Sequence, residues 1–305
     1  MKNTSNQIDL YEKVTDKIIE QMEQGRIPWQ QPWKGGMQAI SHSSGKAYSF
    51  LNQMLLGFKG GEWLTFNQCK KEGGSIRKGE HSSTVVFWQT SYLKNVTVED
   101  ADGTEKTVKM LVNSHPILKS FQVFHISQCE GIKPRFETEI DAPAENLDPI
   151  EAAENVVDLY FNREQCRLYV EESAGAFYRP SDDTVHVPLL SQYAIAEEYY
   201  STLFHEMTHS TGHTSRLNRL TKVAAFGSQT YSREELVAEM GAAFMLAKLG
   251  IDCEKAFTNS VAYLQSWIKA LKNDKKMIVV AAGKAEAAVE YILTGKKNEK
   301  KETGE

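Results

Sequence analysis

The feature that most constrains the fold of this 305-residue chain is the segment His205-Glu206-Met207-Thr208-His209, which has the pattern HExxH. Two histidines spaced four residues apart lie on the same face of an α-helix, so both imidazoles can reach one tetrahedral metal ion at about 2.0–2.1 Å. Glu206, between them, is placed beside the water bound to such an ion and can accept its proton. The pattern therefore predicts a helix that carries a divalent metal, with zinc as the predicted ion and manganese as the alternative.

Neighbouring residues support the predicted helix. Apolar side chains recur every four positions from Ile195 to Met207, and Gly212 follows as a typical helix terminator. The alternative is that both histidines face solvent on an ordinary helix and bind no metal. A catalytic zinc site needs three protein ligands, so the hypothesis requires a third ligand elsewhere in the chain.

A third ligand is available on a second predicted helix. Glu235 lies there, and Glu239 follows one turn later. This helix resembles the ExxAD helix of gluzincin metallopeptidases, which implies that Glu235 binds zinc and that Glu239 orients a ligand histidine. Two alternatives remain open: His213 as the third ligand in a longer histidine pattern, or a solvated acidic helix face. An edge strand commonly lies beside an HExxH helix and binds extended peptide, and we expect Thr184–Val187 to be that strand.

Charge and composition divide the chain into two parts. Residues 1–135 contain 17 lysines and arginines against 13 acidic residues, whereas residues 136–305 contain 18 against 27. A basic part joined to an acidic part indicates a polyanionic partner for the first part only. A segment rich in proline and acidic residues, without periodicity, separates the parts. The sequence therefore predicts a first domain at 1–132, a linker at 133–149, a second domain at 150–295 and a disordered charged tail at 296–305.

The spacing of apolar residues predicts a two-domain α+β protein. In the first domain, an amphipathic helix at Ile8–Gln24 precedes short apolar runs, with an exposed hairpin tip at Glu99–Thr107. The runs that we interpret as strands are Trp63–Phe66, Val85–Trp88, Leu93–Val98, Val108–Val112 and Phe121–Ile126. The second domain is predicted to be mostly helical with a small sheet: a helix at Ile150–Asn162, strands at Arg167–Val170, Ala176–Tyr178 and Thr184–Val187, and helices after Ala194.

The sequence lacks signals for export or membrane insertion. Its first ten residues are largely polar, and no run approaches the roughly 18 apolar residues that a membrane span requires. Its four cysteines are scattered without a CxxC pair, which argues against a cysteine zinc site or a disulfide framework. We therefore expect a soluble cytoplasmic protein without a membrane partner.

Basic and aromatic residues are interspersed in the first part of the chain. Exposed aromatic rings stack on the bases of single-stranded nucleic acid, at about 1–3 kcal/mol each, while cations follow the phosphates. Buried tryptophans and a solvated basic face would give the same composition. The residues that we predict to contact nucleic acid are Arg26, Trp29, Trp33, Lys34, Lys46, Tyr48, Lys70, Lys71, Arg77 and Lys78.

Both parts of the chain resemble one known family. The segments similar to the N-terminal domain of ArdC-type antirestriction proteins, which TraC-type plasmid primases share, are Ile27–Trp33, Trp63–Gln68, Gly73–Glu80, Val85–Trp88 and Phe121–His125. In the second part, the matching segments are His205–His213, Ser215–Arg219, Phe226–Ser228 and Ser266–Asp274. The resemblance implies a single-stranded DNA-binding domain followed by a zincin-like domain related to SprT-type peptidases. It also implies carriage by mobile elements and protection of incoming DNA from restriction.

Three functions are compatible with the sequence. The first is a zinc metallopeptidase that the DNA-binding part delivers to proteins on single-stranded DNA or to restriction-system proteins. The second is a DNA-binding protein in which the metal only stabilises the C-terminal fold. The third is an inhibitor that occupies a restriction enzyme without DNA. An intact Glu206 favours the first function, because a purely structural metal site would not need it.

Overall fold

The computed structural model describes residues 9–30, 38–99, 105–136, 149–220, 229–252 and 261–297. Its helices are α1 (Leu10–Glu23), α2 (Phe50–Leu55), α3 (Phe66–Lys71), α4 (Pro149–Arg163), α5 (Ala196–Ser210), α6 (Gln229–Lys248), α7 (Val261–Asn273) and α8 (Met277–Thr294). Its strands are β1 (Ala39–Ser41), β2 (Gly61–Thr65), β3 (Ser75–Ile76), β4 (Ser83–Glu99), β5 (Glu105–His125), β6 (Cys129–Glu130), β7 (Arg167–Glu171), β8 (Phe177–Arg179) and β9 (Thr184–Pro188).

The predicted α+β class, with a more helical second half, is confirmed by this order of elements. Most of the predicted linker and of the predicted charged tail lies outside the described residues, at 137–148 and 298–305. Within the described ranges, no helix is both long and apolar enough to cross a membrane.

Helix α1 forms as the apolar spacing predicts. Asp9 caps its first turn by accepting a backbone hydrogen bond of 3.0 Å. Val14, Ile18 and Met22 are buried along one face. Gly25 then adopts a φ of 81°, which glycine reaches without strain, and the helix ends there. The helix thus presents one apolar face to the rest of the protein.

A four-stranded sheet in the order β1-β2-β5-β4 forms the centre of the N-terminal half. Strands β4 and β5 are antiparallel and pair along nearly their whole length, with one irregularity between Gln89 and Ser91. The runs predicted as separate strands at 85–88 and 93–98 are therefore parts of one strand. The centre of the predicted hairpin tip, residues 100–104, lies outside the described part of the chain.

In the C-terminal half, α5 packs against α6 and against a sheet of order β7-β9-β8. A Cβ atom at Gly241 of α6 would lie 2.5 Å from the Thr208 Oγ1 of α5, so only glycine permits this close approach. Strand β9 is parallel to β7 and antiparallel to β8. The prediction that Thr184–Val187 is an edge strand is wrong, because the turn at 180–183 folds β8 back along it.

The two halves share one hydrophobic core. The rings of Phe50 in α2 and Phe244 in α6 stack with their centroids 4.5 Å apart. Trp29 packs edge-on against Trp267 in α7, with centroids 6.3 Å apart. A single cluster of buried side chains runs from α1 to α8. The halves that the sequence separates by charge therefore depend on each other for burial of their apolar residues.

Replacing Phe244 with alanine is expected to destabilise both halves together. Phe244 is 6% exposed, and truncation of a buried phenylalanine to alanine typically lowers the free energy of unfolding by about 3–5 kcal/mol. Chemical denaturation followed by tryptophan fluorescence should show one transition at lower denaturant. The control Leu159→Ala, at a position 66% exposed, should stay within about 0.5 kcal/mol of wild type. Two separate transitions, of which only one moves, would argue against a shared core.

Candidate metal centre and aromatic groove

Helices α5 and α6 bring three metal-binding side chains together. The Nε2 atoms of His205 and His209 are 3.1 Å apart. The Oε2 atom of Glu235 lies 3.6 Å from the Nε2 of His205, and its Oε1 atom lies 3.6 Å from the Nε2 of His209. Ligand atoms around a tetrahedral zinc ion at about 2.0–2.1 Å are separated by roughly 3.3–3.4 Å, so these distances suit one ion. Among the described residues, these three form the group that could hold a metal ion.

Packing of α5 determines where the two histidines point. Phe204 and Met207 are completely buried in the core, so His205 and His209 lie on the remaining face, towards α6. The close approach of the two helices then brings Glu235 opposite both rings. The predicted helix is therefore present, and its histidines share one face as their spacing requires.

The carboxylates around His205 and His209 make this cluster negatively charged, so it suits a cation. Burial favours the neutral form of His205, but the hydrogen bond to Glu235 and the negative charges of Glu206 and Glu239 outweigh that effect and raise the pKa of His205. A field that stabilises a proton on this ring also stabilises a metal ion beside it. Two imidazoles and one carboxylate leave the fourth position of a tetrahedral ion open for water.

Glu206 lies between the two histidines in sequence and lines a cavity of about 370 Å³. Glu206 is 8% exposed, and within the described residues its carboxylate has no hydrogen-bond partner. A buried carboxylate is costly unless water or a ligand satisfies it. The carboxylate of Glu206 therefore faces the cavity, where a water molecule could accept or donate a proton.

Glu234 supports His209 from the side opposite the cluster. Its Oε1 lies 3.6 Å from the Nδ1 of His209 and accepts a 2.9 Å hydrogen bond from Arg219. Burial opposes ionisation of Glu234, but the contacts with His209 and Arg219 outweigh it and lower the pKa of Glu234 to about 2. The carboxylate stays charged and can orient the imidazole. Sequence reasoning missed Glu234, because the order of letters does not show which of two adjacent acids faces α5.

Glu239 lies near the other ligand histidine of the group, His205, and its negative charge helps to raise the pKa of that ring. Its carboxylate is 3.5 Å from the amide Nε2 of Gln30, which belongs to the N-terminal half, and it is hydrogen-bonded to Tyr263. It lines the same cavity as His205 and Glu206. The role of Glu239 in orienting a ligand histidine stays a prediction, and Glu234 makes a contact of that kind with His209.

His213 lies in the turn that follows α5. Its Nδ1 is 2.8 Å from the Ser215 Oγ and 4.0 Å from a carboxylate oxygen of Asp183. Within the described ranges, the group of metal-binding side chains does not include it. The geometry therefore favours Glu235 over His213 as the third ligand.

An aromatic groove lies on the sheet of the N-terminal half. It has a volume of about 640 Å³, and its lining includes the rings of Tyr48, Phe66, Phe87 and Phe121. Phe66, Phe87 and Phe121 are 53%, 42% and 44% exposed. The rings of Phe87 and Phe121 stack 4.9 Å apart on neighbouring strands. Three exposed rings in one groove form a surface on which nucleic-acid bases can stack.

Comparisons with known proteins match both halves. Residues 8–124 match the N-terminal domain of anti-restriction factor ArdC, and residues 155–284 match a family of zincin-like metallopeptidases. The metal-free crystal structure of the antirestriction ArdC protein from plasmid R388 is similar to this chain, with 34% sequence identity and a TM-score of 0.65. The match covers 93% of this chain and 97% of the R388 protein chain. The chain belongs to the ArdC antirestriction family. The Mn(II)-bound structure of the R388 protein is 32% identical, with a TM-score of 0.67 and the same coverage.

Two further relatives of this ArdC-family chain differ in length. DNA primase TraC of Escherichia coli is 32% identical in an alignment of length 296 that covers 93% of this chain and 27% of that protein. A second TraC primase is matched over 20% of its length. Protein y4eC of Sinorhizobium fredii is 30% identical in an alignment of length 299 that covers 93% of this chain and 91% of y4eC. The chain therefore spans about a quarter or less of the primases and nearly all of y4eC.

The ArdC-family N-terminal half presents most of the predicted DNA contacts at its surface. The exposed members of that set are Arg26, Lys46, Lys70, Lys71, Arg77 and Lys78. Lys46 borders a second cavity, which adjoins the aromatic groove at Tyr48 and Phe87. Lys70 and Lys71 end α3, whose first residue is the groove residue Phe66. Trp33 and Lys34 lie outside the described residues.

The prediction that Trp29 stacks on a base is wrong. Trp29 is 1% exposed, because its ring packs against Trp267 where the two halves meet. Phe121, which we did not single out as a DNA contact, lies instead in the aromatic groove beside Phe87. Alternation along β4 does not mark this surface, because Val85 and Val86 are both buried and Phe87 and Trp88 are both exposed.

Proposed function

We propose that this ArdC-family protein binds single-stranded DNA through the aromatic groove, hydrolyses peptide bonds at the metal centre, and protects incoming mobile-element DNA from restriction. The observation that carries the proposal is the buried carboxylate of Glu206, which lines the cavity beside the ligand histidines without a partner in the described part of the chain. Such a carboxylate serves a reaction on bound water.

Zinc is the ion that we propose for the metal centre. His205, His209 and Glu235 offer two nitrogens and one oxygen, a ligand set found in hydrolytic zinc sites. When bound, zinc lowers the pKa of a water ligand and polarises a carbonyl oxygen. Manganese is the alternative, since the R388 relative has a Mn(II)-bound structure.

The side chains around the cavity move the protons of the reaction. Glu206 accepts a proton from the attacking water and later donates it to the nitrogen of the leaving peptide. Glu234, itself paired with Arg219, holds the ring of His209 in orientation. Burial raises the pKa of Tyr193, which lines the same cavity. Its hydroxyl stays protonated and can donate a hydrogen bond to the carbonyl oxygen as negative charge develops there.

DNA binding brings this centre to its substrates. Bases stack on the rings of Phe66, Phe87 and Phe121, and Lys46 lies close enough to the groove to contact a phosphate. The names of two relatives, an antirestriction protein and a DNA primase, both concern DNA. The proposed partner is therefore single-stranded DNA, and the proposed substrate is a protein bound to that DNA or a restriction-system protein.

Strand binding and peptide hydrolysis, measured side by side on one preparation, test the proposal. The full chain is required, because its halves share a core. We expect tighter binding to single strands than to duplex DNA, and hydrolysis that depends on the metal. Zinc-loaded protein that binds strands but cuts no peptide would favour the other function, in which strand coating protects the DNA and the metal is structural.

Replacing Phe87 with alanine is expected to weaken single-strand binding by about 1–3 kcal/mol, because one stacking ring is lost from the aromatic groove. The matched control is Phe177→Ala, which removes a ring of nearly equal exposure, 41% against 42%, from the sheet of the C-terminal half. Fluorescence anisotropy with a labelled oligothymidine measures both dissociation constants. Equal losses of affinity in the two variants, or no loss in Phe87→Ala, would show that the DNA does not bind in the aromatic groove.

A further inference from the structure

The cavity that His205 and Glu206 line is bounded by α5 and α6. Glu198 and Thr202 line it from α5, and Glu239 and Ala242 line it from α6. Residues three or four positions apart lie on one face of a helix, so each helix contributes a continuous wall. With Glu206 at the end nearest the metal ligands, the cavity forms a chamber of about 370 Å³.

This chamber is acidic. Glu198, Glu206 and Glu239 line it, and none of its described lining residues is a lysine or an arginine. Together with Glu235, these carboxylates outnumber the two positive charges of a divalent ion, so the net charge stays negative when metal is bound.

Two of the carboxylates have no partner within the described residues. Glu206 is more than nine-tenths buried, at 8% exposure, and lines the chamber without a hydrogen bond from the protein. Glu198 is bonded through its backbone oxygen, which accepts a 3.0 Å hydrogen bond from Thr202. No hydrogen bond or ion pair to the Glu198 carboxylate is present in the part of the chain that the structure describes. Carboxylates in such a position are satisfied by a ligand that brings hydrogen-bond donors.

We propose that the chamber receives the lysine or arginine side chain of a peptide substrate, and that Glu198 is the residue that selects it. The inference rests on the proposed peptidase function, in which the bound peptide extends from the metal centre along the cavity. Ala242 gives the aliphatic stem an apolar contact, while the Glu198 carboxylate binds the cationic end through charge-assisted hydrogen bonds and Glu206 remains available as the proton acceptor.

This selectivity agrees with the proposed partner. Proteins hold DNA largely through lysine and arginine side chains on the phosphates. A peptidase that is itself bound to a single strand, and that accepts basic side chains beside its metal centre, is directed towards such proteins. The substrate class that the chamber selects is therefore a basic segment of a DNA-bound protein.

Binding of short peptides to the zinc-loaded full chain tests the proposal. The probes are three fluorescein-labelled peptides that differ only in a central lysine, glutamine or glutamate, and stopped-flow anisotropy reads binding before turnover. We expect the lysine peptide to bind about tenfold more tightly than the glutamine peptide, and the glutamate peptide most weakly. Glu198→Gln should abolish the preference. Glu197→Gln removes the same charge from the adjacent residue of α5, outside the chamber, and should keep it.

Equal affinity for the three peptides would overturn the proposal, as would equal loss of the preference in Glu198→Gln and Glu197→Gln. Zinc content, measured on the same samples, shows that the metal centre is intact in both variants. Failure of the peptidase function is seen separately by mass spectrometry of the probes. If the peptides bind with the expected preference and stay uncut, the selectivity of the chamber is supported and only the proposed hydrolysis is contradicted.

Discussion

Replacing Glu206 with glutamine is expected to lower peptide hydrolysis by about 10²–10⁴-fold, the typical effect of removing a general base. Zinc content and single-strand affinity should stay unchanged, because Glu206 lies outside both the metal-binding group and the aromatic groove. The measurements are kcat/KM on a fluorogenic peptide, elemental analysis and filter binding, all on the same preparations.

The matched control for this variant is Glu197→Gln, which removes a carboxylate from the same helix outside the cavity and should hydrolyse peptides as wild type does. A Glu206→Gln protein that hydrolyses peptides at the wild-type rate would exclude Glu206 as the proton acceptor. One that has lost its zinc would instead place Glu206 among the metal ligands.

The same variant separates cleavage from coating as the source of protection. Coating of a strand requires no turnover, so we expect Glu206→Gln to protect transforming DNA from restriction as wild type does. Loss of protection with intact strand binding would assign protection to the cleavage of a protein.

Alanine at His205 or at Glu235 is expected to weaken zinc binding by more than the roughly 10–100-fold that changes outside the ligand set typically cause. Each substitution removes one of three ligand side chains from the cluster. After dialysis against a zinc buffer, elemental analysis should find about one zinc per wild-type chain and far less in each variant. His213→Ala is the matched control and should keep its zinc, since its ring contacts Ser215 in the following turn.

Two results would revise the ligand set. Zinc lost from His213→Ala and retained by Glu235→Ala would select the histidine-rich arrangement. Undiminished zinc content in His205→Ala would show that the metal binds at a site other than the α5 histidines.

Local spacing is enough to predict helix α5 and the shared face of its two histidines. Both histidines and the apolar face of α5 follow from a period of 3.6 residues, so the element and its orientation are contained in one segment. The acids of α6 are a different case. Glu234 and Glu235 are adjacent and point about 100° apart. The approach of Gly241 to Thr208 brings one to the Nδ1 side of His209 and the other to the Nε2 side, and helix spacing does not contain that contact.

Sequence patterns could not predict the contacts between the two halves. Trp29 and Phe87 are both aromatic residues of the basic first part of the chain, but Trp29 packs against Trp267, far along the chain, and is buried, whereas Phe87 is exposed. The stack of Phe50 on Phe244 likewise joins segments that composition assigns to separate domains. The division into two domains by charge and linker composition stays a prediction, and the shared core depends on tertiary packing that composition does not contain.

Peptide-bond cleavage at the metal centre is tested most directly by mass spectrometry of a basic protein bound to single-stranded DNA, after incubation with the zinc-loaded full chain. We predict new peptide termini with the wild-type protein, and none with Glu206→Gln or after chelation of the zinc. Wild-type protein that retains its zinc, binds the same strand and leaves the basic protein intact would contradict the proposed peptidase function.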